Sequence, residues 1–204
     1  MRVEEALSQV RLLRSQVARA GEFCCYRSAT IAISGISALV AAIAQSYWIP
    51  QPVAEPHRYL LLWIVVAALS VSITGVEIAI RWLWTDSSHA RRQTILTVRQ
   101  FVPCLVVGAS LTWVLATFCR EHIALLPGLW AVVFSLGVFA SSVHLPTGAM
   151  LVAVYYLVAG LVCLRWGQGP QALAPWTMMI TFGAGQMMTA IVLYRREERN
   201  DGQQ

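Results

Sequence analysis

Long stretches of this chain carry no charged side chain: 28–54, 59–76, 100–119, 122–164 and 166–194. A helix needs about 20 mostly apolar residues to cross a bilayer, and a charge at its centre is costly. The stretches therefore read as membrane-spanning helices. Composition agrees, since 57% of the 204 residues are hydrophobic and 12% are charged. Soluble domains carry roughly 25% charged residues, and a soluble fold of this size needs that polar surface to cover its core.

Proline, glycine and aromatic residues set the span limits. The first stretch ends in Tyr47-Trp48-Ile49-Pro50, an interfacial aromatic pair before a helix stop, which puts span 1 at 28–47. Span 2 covers 59–80, running past Glu77, and span 3 covers 101–119, with Pro103 expected in its first turn, where a missing N–H is tolerated. As one helix, 122–164 would be about 64 Å long, twice the hydrocarbon thickness. It contains His144-Leu145-Pro146-Thr147-Gly148, residues suited to a tight turn, so it divides into span 4 at 124–143 and span 5 at 147–164. Span 6 follows at 175–194, with Pro175 in its first turn. The expected fold is all-α: a polytopic integral membrane protein with six transmembrane helices. Its parts are an N-terminal segment 1–27, a membrane domain 28–194 and a polar tail 195–204.

Arginine supplies every basic side chain and orients the bundle. With the N-terminus in the cytoplasm, 12 arginines fall on the cytoplasmic side, and only Arg58, Arg120 and Arg165 fall opposite. Cytoplasmic loops concentrate arginine, so the split predicts both termini in the cytoplasm and a cell inner (plasma) membrane location. Two glutamates and four arginines precede the first apolar stretch by residue 19, which does not suit a cleaved signal peptide. Residues 3–22 place Val3, Leu7, Val10, Leu13 and Val17 near one face and polar residues on the other. That periodicity predicts an amphipathic helix on the cytoplasmic leaflet.

Inside the spans, small residues recur at four-residue intervals: Thr30, Ser34, Ala38, Ala42 and Ser46; Cys104, Gly108, Thr112 and Ala116; Thr177, Thr181, Gly185 and Thr189. Such stripes let helices approach closely in lipid. Two polar features stand above this background. Ser70, Thr74, Glu77 and Arg81 share one face of span 2, with Glu77 and Arg81 spaced for an ion pair at the cytoplasmic boundary. Gly183, Gly185 and Gln186 lie near the middle of span 6, where glycine pairs serve either tight packing or an unwound binding segment. Tyr155 and Tyr156 of span 5 add hydroxyls able to bond across the bundle.

Several chemistries lack their residues. The five cysteines form no C-x-x-C pair, and His57, His89, His122 and His144 fall in loops or at span ends, away from where haem ligands sit. Acidic residues are scattered, and no segment has the patterning of a nucleic-acid-binding fold. No catalytic constellation, metal or cofactor is expected. The expected partners are the lipid bilayer and a membrane protein, either a second copy or another subunit. The function expected is that of a non-enzymatic structural, regulatory or accessory membrane component; the alternative is a small transporter or channel for a small solute or lipid.

Overall fold

A computed structural model of the chain describes residues 28–84, 88–142 and 148–201. The amphipathic segment, Cys24, Cys25, the 143–147 turn and the Arg81 side chain lie outside the described residues. Every element among the described residues is helical. Six helical segments are long and apolar enough to span a membrane: α1 (Ser28–Trp48), α2 (Pro56–Trp84), α3 (Ser88–Phe118), α4 (Leu126–Ser141) together with the 3-10 segment Arg120–Leu125 before it, α5 (Ala149–Trp166) and α6, over 175–201. The protein is a multi-pass membrane protein. The break inside 122–164 falls where the turn residues place it, since α4 ends at Ser141 and α5 begins at Ala149.

Helix boundaries differ from the sequence expectation in two instructive places. α2 and α3 run further toward the loop that joins them, to Trp84 and from Ser88. At 29 and 31 residues they exceed the roughly 20 needed to cross the hydrocarbon core. Pro103 consequently sits inside α3 rather than in its first turn. The helix continues through it because a proline removes only one backbone bond, and spanning helices absorb such breaks. The α-helical part of span 4 starts later than expected: Arg120–Leu125 forms a 3-10 segment that leads into α4, with Pro127 in its first turn, and the two together make the span.

The six helices do not share the bundle equally. About 39–44% of the spanning windows of α1, α4, α5 and α6 are buried, against 17% for α2 and 0% for α3. α4 and α5 make the tightest pair. A Cβ on Gly128 would lie 2.8 Å from the Gly160 carbonyl oxygen, and one on Gly160 would lie 2.9 Å from that of Gly128. Neither position tolerates a side chain, so these two backbones meet directly. α6 lies between α1 and the α4–α5 pair, while α2 packs on α1 and α3 packs on α4.

Two apolar cores result. The distal one, at the end opposite the N-terminus, joins Ala38, Ala42, Tyr59, Trp63, Ile123, Leu126, Leu173 and Met178. The second lies nearer the N-terminal end and joins Ala131, Val152, Ala153 and Tyr156 with Phe101, Phe134 and Phe182. α1 and α2 contribute no residue to that second core. α2 is therefore anchored at one end, and beyond Val66 its apolar side chains point into lipid: Leu69, Val71, Ile73, Val76 and Ile80 are all exposed. Exposed Trp48, Phe118 and Trp166 stand at the distal helix ends and exposed Trp82 and Trp84 at the other, as aromatic belts do at the two bilayer interfaces.

Candidate functional site

The irregular element of the bundle is in α6. After one α-helical turn, Pro175–Met178, the backbone widens into a π-helix over Met179–Ala184 and returns to α-helix from Gly185 to Asp201. A π turn absorbs one extra residue and is found disproportionately at functional positions. Here it coincides with the tightest contacts of α6. A Cβ on Gly183 would lie 2.6 Å from Leu39 Cδ2 of α1, and one on Gly185 would lie 2.5 Å from Tyr156 Cζ of α5. The two glycines thus hold opposite flanks of α6 against α1 and α5.

Three tyrosines bracket the widened turn. Tyr155 Oη donates a 2.6 Å hydrogen bond to the Ile180 carbonyl, inside the π segment. This supplies a partner where a loosened backbone ladder exposes its acceptors, as side chains do for broken spanning helices. Tyr156 is fully buried. Its ring tilts against Phe134 and Phe182, with centroids 4.7 and 5.9 Å away. Its hydroxyl faces Thr189, one turn after the π segment, without forming a hydrogen bond of good geometry. Tyr59 repeats the arrangement before the segment: fully buried, it faces Thr177, again without a hydrogen bond of good geometry. Each threonine hydroxyl already donates to a nearby backbone carbonyl, Thr177 to Ala174 O just before α6 at 2.8 Å and Thr189 to Gly185 O within it at 2.8 Å. Both retain a lone pair to accept from a tyrosine.

The best-satisfied polar joint was not visible in the sequence reading. Gln45 of α1 is wholly buried. Its Nε2 donates to the Leu173 carbonyl at 2.7 Å, and its Oε1 accepts from Trp63 Nε1 at 2.9 Å. One amide therefore ties α1 to α2 and to the segment leading into α6. The small-residue stripe of α1 pointed to Ser46, yet Ser46 is exposed and the buried line runs Ser34, Ala38, Ala41, Ala42, Gln45. Spacing alternating between three and four, the period of a straight helix, was the available signal. A second joint links α3 to α4: Trp130 Nε1 donates at 2.8 Å to Thr112 Oγ1, which itself donates to Gly108 O.

Of the polar positions singled out from sequence, Gly183, Gly185, Gln186, Tyr155 and Tyr156 gather around the π segment. Gln186 is half-buried, and its Cβ would be 3.1 Å from a Cβ on Gly35 of α1. Glu77 and Arg81 stand apart, on the half of α2 that leaves the bundle. Ser70, Thr74 and Glu77 are half-buried among exposed neighbours, so their face turns inward. The opposite face of α2 escaped the sequence reading. Ala68, Ser72, Gly75 and Ala79 line up along it at spacings of four, three and four, all exposed. Neither Gly75 nor Gly108 of α3 has any atom within 4 Å of its would-be Cβ. Among the described residues, no group of three or more His, Cys, Asp or Glu converges. Comparison with protein-family models, with curated proteins and with solved structures returns no match.

Proposed function

We propose that this protein is a non-enzymatic accessory component of a cell inner membrane, whose packed helices α1, α4, α5 and α6 present α2 and α3 to a membrane partner. The observation carrying this reading is the outward row Ala68, Ser72, Gly75 and Ala79. In α1, α4, α5 and α6 the buried small residues meet helix neighbours, whereas this row is exposed along its whole length. Small residues at such spacing let another helix approach to backbone contact, and lipid gains nothing from them. The partner is a second copy of the chain or another subunit. The arginine distribution supports placing both termini in the cytoplasm.

Co-purification in mild detergent tests the proposal. The wild-type chain is expected to elute with itself or with a partner subunit, and Gly75→Leu with Gly108→Leu to release it as a folded monomer. Neither glycine has an atom within 4 Å of its would-be Cβ, so the expected change in stability is small, about 0.5 kcal/mol. A monomer that drives solute flux in proteoliposomes would contradict the proposal and favour transport, for which Tyr155, Gln186 and the π segment are the natural path residues.

A further inference from the structure

We infer that the π segment of α6 is one state of a two-state element, and that the bond from Tyr155 to the Ile180 carbonyl latches it. This goes beyond the accessory role and is independent of it. The observations are local. Met179–Ala184 holds one residue more than a regular helix would. Tyr155 bonds into it from α5 at 2.6 Å. The wholly buried Tyr156 hydroxyl, level with the end of the segment, faces Thr189 with no hydrogen bond of good geometry. Buried hydroxyls are usually well bonded, so a poorly bonded one where an irregular turn ends marks a contact that another register of the same helix would change.

The geometry of the other state follows from helix dimensions. Releasing the extra residue turns the remainder of α6 by about 100° and advances it about 1.5 Å. Each residue beyond the segment then takes the place now held by its successor. Thr189 and Val192, both half-buried, move into the buried places of Ala190 and Leu193, a modest overpacking at the first and a modest loss of volume at the second. Ala184 moves into the place of Gly185, whose would-be Cβ meets Tyr156 Cζ at 2.5 Å. Tyr156 must therefore swing as the turn relaxes, and its hydroxyl leaves its unbonded position. The Tyr155 bond opposes this, since it holds a carbonyl that the regular ladder would reclaim.

Electron-spin distance measurement tests the inference in the full chain, reconstituted in lipid with its native cysteines replaced. Labels go on Met150→Cys in α5 and Ile191→Cys in α6, both exposed. A 100° turn on a helix about 11 Å across carries a side chain about 8 Å. The expected result is two distances, with Tyr155→Phe raising the share of the minor one at least threefold. Deleting Ala184, which removes the extra residue, should leave a single distance. One distance in wild type that Tyr155→Phe leaves unchanged would overturn the inference. A second distance that Tyr155→Phe does not alter, or that persists after the deletion, would overturn it equally.

Discussion

At the scale of single residues, stability rests on a few contacts whose removal has calculable consequences. Gln45→Leu keeps the volume but leaves Trp63 Nε1 and the Leu173 carbonyl without the partners they have now. Unpaired buried groups cost about 1–3 kcal/mol each, while polar contacts between spanning helices average about 0.6 kcal/mol. A loss of about 1–2 kcal/mol is expected, read as a lowered unfolding temperature in detergent; no change would show that the joint contributes nothing. Glycines divide more sharply. Gly185→Ala drives a methyl into the Tyr156 ring, an overpacking that should destabilise by about 1–3 kcal/mol. Gly108→Ala meets open space and should be neutral by the same unfolding measurement. Sequence treats the two alike, because both are glycines in small-residue stripes; only the neighbouring helix distinguishes them.

Among whole elements, legibility followed the strength of the local signal. The charge-free stretches and the break at 144–148 were enough to place six spans, because exclusion of charge from hydrocarbon is a one-dimensional rule. The extensions of α2 and α3 toward Trp84 and Ser88 were missed, since polar residues at a membrane boundary neither stop nor require a helix. Pro103 lies inside α3 rather than in its first turn for the same reason: its position depends on where α3 starts. The π turn in α6 had a hint in Gly183 and Gly185, but its cause is tertiary. It lies where α6 answers Leu39 on one flank and Tyr156 on the other, neither of which local sequence announces. Gln45 belongs here too, for its partners lie 18 and 128 residues away.

For the whole molecule, the arrangement is lopsided: helices α1, α4, α5 and α6 close on one another, and α2 and α3 border them. Under the proposed topology both chain ends lie on one side, and the arginine distribution favours the cytoplasm for it. A reporter at the C-terminus checks the assignment: a fluorescent protein should be bright there and alkaline phosphatase inactive, whereas active phosphatase would reverse the topology. What the bundle is for turns on the outward face of α2. That face is most directly tested by placing a photoactivatable side chain at successive positions from Leu69 to Ile80, and at Ala68, in native membranes. The account predicts protein adducts at Ala68, Ser72, Gly75 and Ala79 and lipid adducts at Leu69, Ile73, Val76 and Ile80. Lipid adducts at all of these positions would contradict it.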